Sequence, residues 1–361
     1  MKHRQVSINK VGVINTDGHA IGLDIGATSV RAAILSPGYL DGRPSVTIHG
    51  VGKVDLPPGT VVNGVVLEQG ALTAALKHLW QEKKFECRNV ILGIANQQVL
   101  VRDLTVPHLD AGQQAKALPY QAREVVALPM DEVVLDFSPL GPPDPETNMT
   151  HGLLLAAPRE PVLAAVQAVE KAGLRVARVD LASFAVMRAI ADEHLAVEAI
   201  IDLGAHLTTI VIHDHGVPRL VRTLARGGQE ITEQMADRMS ISPVEAEALK
   251  RDAGLRGHRD DVTNTLVEGL RPLIAEIRTS ISYYRSTGAG GPIERVALTG
   301  GGSLLGGIAE TLSDQLGMSV VVIDPLQHIR NRHHAVRTIE IGEGDDLPSA
   351  VSLGLAMGAA A

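Results

Sequence analysis

The chain has 361 residues, 45% of them hydrophobic but only 2% aromatic, and a formal net charge of -8 at pH 7. That length suits about two domains with cores of Leu, Val, Ile and Ala, and the acidic balance argues against a nucleic-acid-binding protein, which carries a basic face. The single cysteine, Cys87, excludes an intramolecular disulfide and a cysteine-rich zinc site, and fits a reducing compartment.

No apolar stretch follows Lys2, Arg4 and Lys10 as in a secretory leader, and no run reaches the ~20 apolar residues of a membrane span. A soluble, cytoplasmic protein is expected. His213 and His215 flank Asp214 at the tip of a predicted hairpin, and His333 and His334 adjoin Arg330 and Arg332 in a basic stretch. Neither pair has evident partners for the three or four converging ligands that a stable metal site needs.

In chain order, residues 20–23 and 30–35 read as strands opening a first lobe, and 71–83 as a helix leading away from it. Residues 90–94 and 98–104 read as paired strands, 111–126 as a helix, 132–140 and 152–157 as strands, and 161–171 as a helix with Pro161 in its first turn. This β-β-α-β-β-α block reads as an inserted subdomain with a solvent loop at Gly141, Pro142, Pro143, Asp144 and Pro145. A strand at 176–180 and a helix at 181–191 return to the first lobe. The second lobe follows, with strands from Ala199 and over 207–212, and helices over 229–239, 243–251 and 262–285. A strand at 295–298 runs into Thr299, three glycines and Ser303, a helix ends near Leu316, and a strand at 320–323 and a small-residue helix at 349–360 close the chain.

One motif is written twice. An apolar strand enters Asp24-Ile25-Gly26-Ala27-Thr28, and another enters Asp202-Leu203-Gly204-Ala205-His206. Each is followed by a second β-rich run, closing at Gly38 and Gly216. Such a repeat implies two homologous lobes. Glycine lets a turn approach a polyphosphate closely and aim backbone N–H groups at its oxygens, so two facing turns could clamp one nucleotide. An Asp at each strand end suits a hydrated Mg²⁺, which binds through one or two carboxylates plus phosphate. Gly300, Gly301 and Gly302 before a helix form a second kind of ligand loop.

The segments Asp24 to Arg31, Asp202 to Ala205 and Thr299 to Gly302 resemble the two phosphate loops and the adenosine loop of the actin, sugar kinase and heat-shock ATPase superfamily. Within it, Leu118 to Phe137, Arg226 to Thr232, Ser242 to Lys250 and Glu276 to Tyr283 resemble the PilM family of actin-like type IV pilus assembly proteins, over roughly residues 18–360. The resemblance implies an α/β, two-lobed, actin-like (ribonuclease H-like) fold with an inserted subdomain of the FtsA/PilM type. Residues 18–86 would form the first lobe, completed by 173–198 and 336–361, and 87–172 the insert. Residues 199–227 and 292–335 would form the second lobe, and 228–291 a helical subdomain.

It further implies that Gly26, Ala27, Thr28 and Ser29 cradle phosphate from one side and Gly204, Ala205 and His206 from the other. Gly300, Gly301, Gly302 and Ser303 would flank the adenosine of ATP, with Gly228, Glu247 and Lys250 at ribose and base, and Asp24 and Asp202 would orient the waters of Mg²⁺. Arg31 stands where the family carries a phosphate-facing lysine, an exchange that keeps the charge and adds a fork of donors. His206 replaces a small or hydroxyl residue. Asp202 is the one evident residue for activating water, so hydrolysis is expected to be slow or absent.

The implied function is a cytoplasmic adaptor at the inner face of the cell membrane. It would bind the cytoplasmic N-terminal segment of a PilN-like membrane protein between the first lobe and the insert, near 90–104, with pilus hexameric ATPases as further partners. The competing readings are an FtsA-like filament-forming cell-division protein and a small-molecule kinase of the same superfamily. The first would carry a basic amphipathic terminal helix, whereas residues 353–361 hold no basic side chain.

Overall fold

The computed structural model describes residues 20–40, 43–192, 194–257, 260–288, 290–332 and 348–360; Lys2, Arg4, Lys10, His333 and His334 lie outside them. The first lobe opens with β1 (Ala20–Ile25), β2 (Ser29–Leu40), β3 (Arg43–Asp55), the small hairpin β4 (Val61–Val62) and β5 (Val65–Val66), α1 (Gln69–Glu82) and β6 (Asn89–Ile94). The chain then builds β7 (Leu100–Pro107), α2 (Ala111–Gln121), β8 (Val133–Pro139), β9 (Met149–Pro158) and α3 (Arg159–Lys171), and returns through β10 (Arg175–Leu181) and α4 (Ala182–Ile190). The second lobe holds β11 (Val197–Leu203), β12 (Thr208–Asp214), β13 (Val217–Leu224), the helices α5 (Gly228–Met239), α6 (Pro243–Ala253) and α7 (Asp260–Thr287), then β14 (Arg295–Thr299), α8 (Ile308–Leu316), β15 (Val320–Val322), α9 (Pro325–Arg332) and α10 (Ala350–Ala360).

Two five-stranded sheets share one topology, β3-β2-β1-β6-β10 and β13-β12-β11-β14-β15. In each, the first three strands in sequence form an antiparallel meander, and the last two add in parallel beside the first. The central strands β11 and β12 are buried on both faces, which is why they read as continuous apolar runs. On β11, Ala199 and Ile201 enter the second-lobe core with the apolar stripe of α7, while Ile200 faces the other way. That other way is a layer shared by the lobes, in which Ile91 and Leu35 meet Ile200 and Val211 across Ala185 and Ala189 of α4, Ile329 of α9 and Leu353 and Leu355 of α10. The terminal helix is thus a core element.

The expected pairing of 90–94 with 98–104 does not occur. β6 lies between β1 and β10 in the first-lobe sheet, because Val90 and Leu92 belong to that sheet's core. β7 pairs instead with β9, whose other neighbour is β8. This three-stranded sheet is itself two-sided. Leu154 and Ala156 of β9 face Leu118 and Ala122 of its own helix, while Leu153, Leu155 and Ala157 join the first-lobe core. The insert is therefore fused to the lobe by apolar packing. Helix α2 stops at Gln121 and tightens into a single 3₁₀ turn through Glu124, short of the expected Val126, because Pro119 withdraws a donor from the last turn. Helix α6 starts where its sequence says, with a reciprocal Ser242–Glu245 capping box and Pro243 in the first turn. Among the described residues, no helix is long and apolar enough to cross a membrane.

Candidate functional site

The two copies of the repeated motif fold into the same turn. Gly26 N–H donates to Ser29 O (3.0 Å) between β1 and β2, and Gly204 N–H to Leu207 O (2.9 Å) between β11 and β12. Gly216 lies in the next turn of the second lobe with a positive φ of 77°. Gly38, expected to close the first hairpin, instead lies inside β2 opposite Ser45, the strand continuing to Leu40.

The turns bring Asp24 and Asp202 together across the cleft. Both carboxylates keep part of their surface open but stand among dense protein atoms. Burial is the main cause that raises Asp24 above the ordinary range, opposed by Ser349, whose Oγ donates to Asp24 Oδ2 (2.6 Å), and by the Arg31 charge. Burial likewise pushes Asp202 up to about 7, helped by the charge of Asp24 and opposed by Arg31. Arg31 is the cross-strand neighbour of Asp24 and, on its other side, of Lys53; Arg31 is the cation that acts on the carboxylate pair, while Lys53 pairs with Asp55 (3.1 Å). Lys53 and Ser349 are absent from the motif reading. Ser349 is legible as a helix N-cap, accepting from Ser352 N–H (3.0 Å), but its partnership with a strand end 325 residues away is not.

Two loops of the second lobe converge on the Asp202 turn, and α6 supports one of them. Gly228 N–H donates to Gly204 O (2.9 Å) and Gln229 N–H to Ala205 O (2.8 Å), so the start of α5 braces the turn. Lys250, 8% exposed, donates to Gly228 O (2.9 Å) and Thr232 Oγ1 (2.6 Å) and pairs with Glu247 (2.6 Å). Burial works against the Glu247 charge, but hydrogen bonds from Lys250 and Thr232 outweigh it and hold the carboxyl below its usual value. Glu247 and Lys250 are thus internally engaged, the bracing of the loop being their visible role. Gly300 has φ 85°, and a Cβ there would run into the Asp202 carboxylate, so the turn demands glycine. Ser303 returns its N–H and Oγ to Gly300 O (3.1 and 2.7 Å). Gly301 faces open space, with no atom within 4 Å of where its Cβ would be.

The cleft offers unspent hydrogen-bonding capacity. Ser29 is 1% exposed, yet among the described residues its hydroxyl has no partner, a costly state for a buried polar group unless a ligand completes it. With a carboxylate pair that resists full ionisation and an open Gly301, the residues present fit a nucleotide and its divalent cation. His206 sits half-buried in the second turn. Away from the cleft, His213 is buried against Glu198 (3.2 Å) and His215 Nδ1 meets Asp214 (2.6 Å).

Two matched sheets, with facing Asp-x-Gly-Ala turns and a glycine-rich third loop, define an actin-like ATPase fold. The chain belongs to the family of the type IV pilus assembly protein PilM, whose model matches residues 22–360. A solved PilM-PilN type IV pilus biogenesis complex is similar at 28% identity and TM-score 0.80, covering 95% of this chain and 98% of that one. The MreB5 protein of Spiroplasma citri bound to ADP shares the fold at 14% identity and TM-score 0.52, covering 95% of each chain. The cell division protein FtsA of Enterococcus faecalis is 25% identical over 262 residues, which are 66% of this chain and 58% of that protein, so less than two thirds of its length is spanned.

Proposed function

We propose that this chain is a nucleotide-tuned adaptor of type IV pilus assembly. It holds ATP and Mg²⁺ between its lobes and the cytoplasmic N-terminal segment of a PilN-like membrane protein between the first lobe and the insert. The observation that carries the nucleotide half is the Asp24–Asp202 pair, crowded enough that Asp202 holds its proton up to about 7. A divalent cation relieves such a pair. It would supply positive charge between carboxylates and phosphates, and Asp24 and Asp202 would hold its waters. Gly26, Ala27, Thr28, Ser29 and Arg31 would meet the phosphates from the first lobe, and Gly204, Ala205 and His206 from the second. Gly300, Gly301, Gly302 and Ser303 would flank the adenosine, with Gly228, Glu247 and Lys250 supporting the ribose side. Asp202 alone stands ready to accept a proton from water, so turnover is expected to be slow or absent.

The adaptor half rests on the likeness to the PilM-PilN complex and on a small apolar pocket between the end of β6 and the start of α3. Val61, Val66, Ile94, Val99 and Val162 are among its walls, and Asn96 is the one polar side chain there. Such a lining suits an apolar anchor on an extended peptide. Pilus hexameric ATPases are further expected partners. Membrane recruitment from the cytoplasm would run through the peptide, since α10 is committed to the core and the net charge of -8 disfavours anionic lipid.

Purified protein should therefore ignore bare anionic liposomes and bind liposomes displaying the partner's N-terminal peptide. Charge-reversing changes on the insert should abolish that binding and leave Mg-ATP affinity intact by calorimetry. Binding to bare liposomes, or ATP-dependent filaments on them, would favour an FtsA-like role instead.

A further inference from the structure

The β4–β5 hairpin stands where the cleft, the pocket and the insert meet. Its turn residues Asn63 and Gly64 have φ of 50° and 77°, the left-handed pair that a two-residue hairpin requires. A Cβ at Gly64 would run into the Ala95 carbonyl oxygen and would lie 3.4 Å from Leu207 Cδ1. Leu207 closes the second phosphate turn by accepting from Gly204 N–H. A larger residue at Gly64 is thus excluded by Ala95 of its own lobe, while Leu207 of the other lobe lies within van der Waals reach of that position.

The same turn is tied to the insert. Asn63 O accepts from Asn96 Nδ2 (3.2 Å). Asn96, 7% exposed, also accepts from Gln98 N–H (2.8 Å) and, through its carbonyl, from Val99 N–H (3.1 Å). It thereby shapes the link from β6 into β7. Just upstream, Leu56 N–H donates to Thr28 O (2.8 Å), fastening the segment to the first phosphate turn. Val61 and Val66 are walls of the pocket, together with Pro158, Val162 and Ala165.

We infer that the β4–β5 hairpin transmits lobe closure to the pocket, with the Leu207–Gly64 contact as the link between them. The inference rests on the function proposed above. Packed interiors shift as units and do not deform smoothly, so movement of Leu207 displaces Gly64 and, with it, Ala95 and the Val61 and Val66 walls. Coupling of this kind is reciprocal: peptide in the pocket alters nucleotide affinity by the factor with which nucleotide alters peptide affinity.

The test follows amide hydrogen exchange over 93–99 in the full chain with and without Mg-ATP, whose binding is measured separately by calorimetry. In wild type, nucleotide should slow exchange there about fivefold or more, within the usual range of coupling between sites. Leu207→Ala keeps the backbone carbonyl that closes the turn and removes only the side chain facing Gly64, so nucleotide affinity should hold while the slowing disappears; Leu207→Met, which still reaches Gly64, should keep it. Slowing that persists in Leu207→Ala or vanishes in Leu207→Met overturns the inference. So does loss of nucleotide affinity in Leu207→Ala, which would place Leu207 in the nucleotide site itself. Wild type that binds nucleotide with no change over 93–99 refutes the coupling alone, whereas wild type that binds no nucleotide refutes the proposed function and the coupling with it.

Discussion

The two Asp-x-Gly-Ala turns have one backbone and two different surroundings. In the second lobe the turn is braced from behind: Gly228 and Gln229 donate into it, and the buried Thr208 hydroxyl is used up on Arg226 O (2.8 Å). In the first lobe Ser29, the counterpart of Leu207, carries a buried hydroxyl with no partner among the described residues, and Asp24 faces Arg31 where Asp202 faces Thr209. The added units differ too. The first lobe departs from the shared plan between β6 and β10, the second between β13 and β14. The two lobes thus share the turn and the sheet order, while the second turn is an anvil braced by α5 and the first, fastened by Leu56 N–H at Thr28 O, leaves the Ser29 hydroxyl as its free hand. If that division holds, changes in the two turns should separate stability from ligand binding.

The largest effect expected is at the glycines. Gly301→Leu puts a side chain into open space, so the ligand-free protein should melt as wild type does while ATP affinity falls on the order of 100-fold, about 2.7 kcal/mol. Gly204→Leu should also abolish binding, but with a lowered melting temperature, because its Cβ would stand 2.7 Å from Leu207 O inside the braced turn. Calorimetry and thermal melts on both variants decide this. Unchanged ATP affinity in Gly301→Leu would remove the third loop from the site.

Next in size is Asp202. Its carboxyl titrates near 7 in the folded protein, against 3.8 ordinarily, so the folded state binds that proton more tightly than the unfolded chain does. The associated stability is full below about pH 4 and is lost as pH rises through about 7. At pH 8 the ligand-free protein carries the whole electrostatic strain, discounted because part of the carboxylate is open to solvent. Asp202→Asn should therefore melt higher than wild type at pH 8, with the gap closing towards pH 4. With Mg-ATP the order should reverse, since wild type has two carboxylates to hold the cation's waters and the variant only Asp24. A variant less stable than wild type at pH 8 without ligand would refute the crowded-carboxylate account, and equal Mg²⁺ dependence of ATP affinity in the two proteins would refute the metal role.

How much of this could be read in advance depends on the range of each signal. The repeated Asp-x-Gly-Ala turns are local, four to five residues long, and both folded as their spelling implies. The pairing of β6 was misread because its neighbours in sequence and in space differ. Strand 89–94 is followed by β7, yet its hydrogen bonds go to β1 and β10, and parallel pairing leaves no turn signature between partners. Gly38 misled for the opposite reason, a turn-forming residue absorbed inside a long strand. The Asn63-Gly64 dipeptide, by contrast, is a strong hairpin signal that was there to be used. The engagement of Lys250 with Glu247, Thr232 and Gly228 was beyond reach, because motif logic assigns side chains to a ligand and says nothing of what they do without one.

The smallest effect is the cleanest test of the anvil and the free hand. Thr208 is fully buried and hydrogen-bonded, so Thr208→Ala strands the Arg226 carbonyl and should cost about 1 kcal/mol of stability. Ser29 is equally buried, but its hydroxyl bonds to none of the described residues. Its removal should leave the ligand-free protein unchanged or slightly more stable, since an unsatisfied buried polar group is itself a cost of roughly 1–3 kcal/mol. With Mg-ATP present the ranking should invert, Ser29→Ala losing more of the ligand-induced rise in melting temperature than Thr208→Ala. Urea unfolding of both variants, with and without nucleotide, gives the four numbers required. Equal losses in the ligand-free state would mean that the two turns are interchangeable and that the asymmetry between the lobes lies elsewhere.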